Sequence, residues 1–444
     1  MIIRVCLVAA LLTPAAATAQ GNPGPYGKLF GRAPASSADQ EHTTVEIRST
    51  VGANYDNALL APEGSAADTP LQRGVSGEGT AFVNVEHRSS VFVANVSGGA
   101  GRGEYFTEPT SYGTTQYFAN ANAHAKLSTR FDAQATARYA HSPSYQFFSG
   151  FGRGPIDADF PGNPDSPVNP GPVSLPSSAY AIQMLENDMI DASAGLTTRI
   201  TEKSSLDLSV FRHQTQFAHQ PDDDVVVNGY RARWQWQLQR GLGVHAGYGQ
   251  EHIDLQAPDR LDYGSALIDA GLDFNRAFSI ARRTTLDFNT TTSVMKRDGA
   301  ENEFRVNGGV SLAKFFRRTW HASLQANRAT LFLAGFSEPL NTNTVSASLG
   351  GMFSTRLDFV AFASAARGES SFSHTSGYET LNGTARLSMA LGKQVSAYVS
   401  YFAYSYDVPA GAFTLSVPGR MARQVIAAGL SFYVPVYQKV RRDQ

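Results

Sequence analysis

The sequence predicts an all-β protein: a transmembrane, antiparallel up-and-down β-barrel of about eighteen strands, or about sixteen on a stricter count. Three observations predict it. Apolar and polar side chains alternate with period two in segment after segment. Beyond residue 20 no apolar run is long enough for a membrane-crossing helix. Tight basic turns alternate with looser Gly-, Asp- and Pro-bearing connections along the whole chain.

The chain opens on Met1-Ile2-Ile3-Arg4, continues with an apolar stretch from Val5 to Leu12, and reaches Pro14 and the small-residue site Ala17-Thr18-Ala19. A short positive start, a brief apolar segment and a small-x-small end predict a signal peptide over 1–19, cleaved after Ala19. Cys6, the only cysteine, lies inside that apolar stretch without the Leu-Ala-Gly-Cys pattern of a lipoprotein. The remaining chain has no thiol, which excludes disulfides and thiolate chemistry there. Residues 20–42, rich in Gly, Pro, Ala and Ser, read as a periplasmic lead-in.

Lys and Arg number 37 against 38 Asp and Glu, so no nucleic-acid partner is expected. Only 17% of residues are charged, and Phe and Tyr far outnumber Trp. No linker divides the chain into soluble domains. Bilayer-spanning backbone must be helical or form a closed sheet, and the helical option is already excluded.

The alternation is clearest from Tyr230 to Leu238. Tyr230, Ala232, Trp234, Trp236 and Leu238 share one face; Arg231, Arg233, Gln235, Gln237 and Gln239 share the other. Val75, Gly77, Gly79, Ala81, Val83 and Val85 likewise oppose Ser76, Glu78, Thr80, Asn84 and Glu86. Tyr117 and the alanines at 119, 121, 123 and 125 oppose Gln116, Asn120, Asn122, His124 and Lys126. Ile190, Ala192, Ala194 and Leu196 oppose Asp191, Ser193, Thr197 and Arg199. The pattern recurs over 266–275, 285–294, 304–312, 320–327, 357–365, 378–391 and 395–403. Many apolar members are Ala, Gly and Val, thin material for a soluble core but enough for a lipid-facing surface. Aromatics at Tyr105-Phe106, Phe147-Phe148, Phe315-Phe316 and Tyr401 to Tyr406 are expected to form the two interfacial girdles.

Tight turns are expected at Arg88, Arg130, Lys203, Arg240, Arg282-Arg283, Arg317-Arg318, Arg356 and Lys393. Between neighbours lie roughly forty residues, two strands and one longer loop. One gap, from Arg130 to Lys203, is far longer and holds a Pro-rich loop over 145–187. The segment Pro155 to Pro176 within it, with Asp157, Asp159 and Asp165, reads either as an exposed loop or as an insert that narrows the mouth. A first strand near 43–55 and a last near 423–434 complete an even number, which places both termini on the periplasmic side. The barrel is expected over 43–437, followed by a basic periplasmic tail over 438–444. Gly429-Leu430-Ser431-Phe432-Tyr433-Val434 resembles the last-strand signal read by the barrel-assembly machinery, an expected partner, although the chain does not end on an aromatic residue.

Val51-Gly52-Ala53-Asn54-Tyr55-Asp56-Asn57 closes the first strand in a way that resembles the Tyr-Asp-Asn-Asn signature of the β-barrel porin type 2 family. The signal peptide, lead-in and barrel size are similar to that family's plan. Membership would imply an outer-membrane porin. Some members of this broad group are associated with exopolysaccharide production, and that association implies polysaccharide export as an alternative. No site residue is carried over.

A barrel of about eighteen strands is wide enough for a water-filled lumen. The expected lumen-lining residues are Arg231, Arg233, Gln235, Gln237, Lys126, Arg138, Arg199, Arg305 and Arg386. With them come Glu78, Glu86, Asp132, Asp191, Asp269, Asp273, Asp287, Glu303 and Asp358. Mixed signs argue against strong ion selectivity, which single-sign rings confer. Asp222-Asp223-Asp224 lacks the spaced ligands of a Ca²⁺ loop and reads as a solvated turn, so no metal or cofactor is expected. Histidines are scattered and no Gly-x-Ser-x-Gly elbow occurs, so the chain is not read as an enzyme. The expectation is a porin-like channel in the Gram-negative outer membrane, in contact with lipid and lipopolysaccharide, that passes small solutes or saccharides. The alternative is an exopolysaccharide export channel working with periplasmic export proteins.

Overall fold

The computed structural model describes the strands and most of their connections between residues 41 and 440. Residues 1–40, 60–71, 107–110, 145–183, 219–223, 240, 256–260, 278–283, 298–302, 317–318, 334, 337, 374–375, 410–418 and 441–444 lie outside the description. The expected signal peptide, lead-in, Phe147-Phe148, the Pro155 to Pro176 insert, Asp222, Asp223 and three of the basic turns fall there.

The described residues form eighteen strands. The first nine are β1 His42–Leu59, β2 Gln72–Arg88, β3 Phe92–Phe106, β4 Ser111–Lys126, β5 Phe131–Ser142, β6 Asn187–Thr201, β7 Ser204–Phe217, β8 Val225–Gln239 and β9 Leu242–Leu255. The second nine are β10 Leu261–Ala277, β11 Thr284–Arg297, β12 Glu303–Phe316, β13 Trp320–Leu331, β14 Leu340–Ser354, β15 Leu357–Ser370, β16 Ser376–Ala390, β17 Val395–Asp407 and β18 Arg420–Val440. Each strand pairs antiparallel with its sequence neighbours, and β1 also pairs with β18 from His42↔Val440 to Asp56↔Val425. The sheet therefore has no edge. Closure gives each strand two neighbours, so its backbone groups pair within the sheet, as bilayer-spanning backbone requires; the β10–β11 ladder skips from Ala266↔Val294 to Asp273↔Asn289.

The predicted turns organise the sheet. Ser128 Oγ accepts from the backbone N–H groups of Arg130 and Phe131 at 3.1 and 3.2 Å and closes the β4–β5 turn. Thr201 Oγ1 does the same for Lys203 and Ser204 at 3.2 and 3.1 Å between β6 and β7. Between β8 and β9, Gly241 adopts φ 79°, a left-handed conformation that only glycine takes cheaply. Because neighbouring strands run antiparallel, the described tight turns at β2–β3, β4–β5, β6–β7, β14–β15 and β16–β17 all lie at one end of the barrel. β18 differs from expectation: it runs to Val440, past the predicted tail boundary at 438, because its ladder with β1 continues to His42.

The two faces differ as lipid and lumen would demand. Outward positions carry exposed aliphatics: Ile47 pairs with Val83, Val310 lies two residues from Leu312, and Val345 is 52% exposed. Even the shortest strands, β5 and β13 at 12 residues each, cover the hydrocarbon thickness when tilted, at roughly 3.3 Å per residue. Inward positions of the same strands are polar. On β1 they run His42, Thr44, Glu46, Arg48, Thr50, Gly52, Asn54, Asp56.

The girdle expectation needs correction. Phe106 and Tyr401 point outward, yet Tyr105, Phe402, Tyr404 and Tyr406 point inward and are buried. Phe315 follows the inward register, stacked on His321, whereas Phe316 faces outward beside Trp320. Neighbouring residues on a strand point to opposite faces, so half of any aromatic cluster must turn into the barrel.

Candidate channel interior and its outer mouth

The strand pairing assigns every predicted lumen residue to a face. Glu78, Glu86, Lys126, Asp132, Arg138, Asp191, Arg199, Arg231, Arg233, Gln235, Gln237, Asp273, Asp287, Glu303, Arg305, Asp358 and Arg386 all fall on the inward register. Asp269 pairs with Gly247 on the same register; its side chain is outside the description.

The registers bring many of these together. Arg138 lies opposite Asp191, and Asp191 in turn bonds the His213 ring. Asp132 sits 3.7 Å from Arg199 and 3.9 Å from His124, with Lys126 opposite it on the ladder. Asp207 accepts from Thr197 Oγ1 at 2.6 Å and lies opposite Arg233. His245 Nδ1 meets Asp273 Oδ2 at 2.8 Å. Arg231 and Arg233 lie opposite Gly249 and Gly247, whose missing side chains leave room for the guanidinium stems. Both arginines are only 4% exposed, so they are enclosed groups rather than water-lapped ones. Glu86, by contrast, is open to solvent and reaches His42 at 3.5 Å.

Charges are unevenly distributed around the ring. Among the described side chains, each strand from β4 to β9 and also β12 carries at least two charged or His residues on its inward register. From β13 to β17 the inward positions are uncharged, mostly Ser, Thr, Asn, Gln, Tyr, Phe and small residues with a few aliphatics such as Val360 and Leu340, and the titratable exceptions His321, Asp358 and Arg386 all lie toward the tight-turn end. Arg386 lies over the Tyr398 ring at 4.1 Å and donates to Ser388 and Ser431, each at 3.3 Å. Higher on this wall Asn382 donates to Ser364 at 3.2 Å, and Thr342 bonds Tyr378 at 3.1 Å. Thr380 Oγ1 and Ser400 Oγ are buried, with no hydrogen-bond partner among the described residues.

At the long-loop end the polar-inside rule fails. Phe217, Val225, Val227 and Ile253 from β7–β9 join Leu340, Tyr378, Tyr404, Tyr406 and Met421 from β14–β18 in one buried apolar cluster. These two groups stand about half the ring apart, so the cluster crosses the mouth. The bridge comes from connections: Phe332 and Phe336 of the β13–β14 loop, Met184 and Leu185 before β6, and Val408 after β17. Met184 and Leu185 belong to the long Pro-rich loop, whose other residues over 145–183 lie outside the description. Tyr112 extends the cluster toward β3, stacked on Tyr105 at 4.7 Å. Apolar burial makes this a dry seal, worth on the order of 2 kcal/mol for each fully buried large side chain.

Sequence reading missed the seal. Its signal is the unbroken run Val225-Val226-Val227, just before the clean alternation from Tyr230. A short continuous apolar run marks a strand segment covered on both faces.

The Tyr55-Asp56-Asn57 segment proves to be seam chemistry. Asp56 accepts Arg423 Nε at 2.8 Å and the Ala58 backbone N–H at 2.9 Å; Asn57 Oδ1 accepts Gln424 N–H at 2.7 Å. It fastens the first strand to the last. Asp224, the described member of the acidic triplet, accepts the Phe217 N–H at 2.8 Å and closes the β7–β8 connection.

No family model matches the chain, so the type 2 porin resemblance stands on its own residues, and no curated protein matches either. Solved structures of similar plan do exist. Pseudomonas aeruginosa OccK7 (OpdD) is 9% identical with a TM-score of 0.42, covering 90% of this chain and 100% of that one. Acinetobacter baumannii OccAB4 is 10% identical with a TM-score of 0.39, covering 90% and 100%. The Pseudomonas aeruginosa siderophore receptor PirA is 8% identical with a TM-score of 0.39, covering 89% and 80%. The barrel itself is established by its own strand pairing.

Proposed function

We propose that the protein is an outer-membrane channel of the porin type for small solutes, saccharides among them, with both termini periplasmic. The observation that carries this reading is the closed sheet, aliphatic outside and hydrogen-bonding inside. An exposed apolar band of this extent needs lipid to cover it. Lipid and lipopolysaccharide are then its surroundings, and the barrel-assembly machinery its insertion partner.

Saccharides are favoured by the uncharged wall from β13 to β17. Its amide and hydroxyl groups, Asn382, Ser364, Thr380 and Ser400 among them, have the hydrogen-bonding chemistry of sugar hydroxyls, although in this structure they are enclosed, none more than 6% exposed. Detergent-purified protein should run faster on gels unboiled than boiled, and should conduct in planar bilayers with current interruptions that scale with added sugar. A protein that stays in solution without detergent would sink the reading.

The same uncharged wall suits a neutral exopolysaccharide, and export with periplasmic partners is the second reading. A deletion strain that makes polymer precursors yet releases no polymer would select it over diffusion.

A further inference from the structure

We propose that the described residues of the β13–β14 loop, Phe332, Leu333, Gly335, Phe336, Glu338 and Pro339, form a hinged lid over the lumen, held shut by a polar latch on Glu338 and Ser371. The proposal rests on the channel reading above.

The lid has an apolar underside and a polar fastening. The β13–β14 ladder ends at the pair Leu331↔Leu340, so no ladder bond holds the residues between. Within them Phe336 N–H donates to the Leu333 carbonyl at 3.2 Å, and Gly335 takes φ 85°, making a tight turn. That turn drives Phe336 inward against Tyr378, ring centroids 6.0 Å apart, where it is 4% exposed.

The fastening joins this loop to the next loop on the same rim, between β15 and β16. Glu338 Oε2 accepts from Phe372 N–H at 3.3 Å and from the N–H and hydroxyl of Ser373, both at 3.1 Å. Ser371 donates its N–H to the Pro339 carbonyl at 2.9 Å, and its hydroxyl bonds the same oxygen. Arg305, rooted on β12, braces Ser371 by donating to Oγ at 2.7 Å and to the carbonyl at 3.0 Å. These ties run from loop to loop, or from the Arg305 side chain to a loop. Breaking them weakens the shut state and leaves the eighteen-strand ladder intact. Arg305, expected to line an open lumen, thus serves to hold the mouth closed.

The test uses the full-length protein, with heat-modifiable gel migration as the check of folding. Single-channel current in potassium chloride and uptake of glucose by proteoliposomes are measured for three forms. They are the wild type, Glu338→Ala, and a chain whose residues 333–338 are replaced by a short Gly-Ser turn. We expect the wild type to be mostly shut and the shortened lid to conduct constitutively. Glu338→Ala should raise the open fraction about tenfold, because charge-assisted bonds are lost only in the shut state. Equal conductance in all three forms overturns the lid while the channel reading stands. Opening by the shortened lid but not by Glu338→Ala overturns the latch. No conductance from folded protein even with the lid shortened removes the channel reading itself.

Discussion

Asp56 on β1 and Arg423 on β18 stand 367 positions apart and meet inside the barrel, their side chains 3% and 2% exposed. The contact lies at the seam where the last strand must find the first. A buried charge without its partner is costly, so the pair penalises every register except the one that joins them.

Asp56→Ala or Arg423→Ala alone should destabilise the barrel by about 3–5 kcal/mol, because each leaves the other charge enclosed and uncompensated. Urea titration in detergent, followed by heat-modifiable migration, reads the loss. The double replacement Asp56→Leu with Arg423→Met should recover most of it. Equal losses for the single and double variants would mean that the pair does not act as a unit.

Val345 and Ser346, adjacent on β14, face opposite media. Val345→Arg places a charge against lipid and should cost about 2–4 kcal/mol of folding stability in bilayers. Ser346→Arg enters the lumen and should cost little. Equal costs in an unfolding titration from vesicles would contradict the facing.

The uncharged wall predicts a specific loss of affinity. Asn382→Leu removes the amide that reaches Ser364, so the sugar concentration that half-blocks the current should rise about tenfold, or roughly 1.4 kcal/mol. Single-channel conductance in salt alone should stay as it was. A block curve that does not move would take Asn382 out of the solute path.

Much of this fold was legible in the residue order. Tyr230 to Leu238 and Val75 to Val85 declared their facing by alternation, because a strand has only two sides. Arg130 and Lys203 marked turns, where Ser128 and Thr201 supply the local hydrogen bonds that tight connections need. The facing of Arg231, Glu78 and Asp191 followed from the same period. The aromatic run Tyr401 to Tyr406 was misread because alternation sends Phe402, Tyr404 and Tyr406 inward, where the seal receives the two tyrosines and Phe402 packs on Val425 and Ala427.

The sequence by itself determined the strands, their approximate number, and which side chains share a face. Those properties depend on residues two apart, and local chemistry sets them. Only the tertiary structure decided that Asp56 meets Arg423, that Val227 and Tyr406 join one apolar cluster, and that Glu338 fastens one loop to the next. Ring closure brings together positions hundreds of residues apart, and no local pattern encodes which of them will share a mouth.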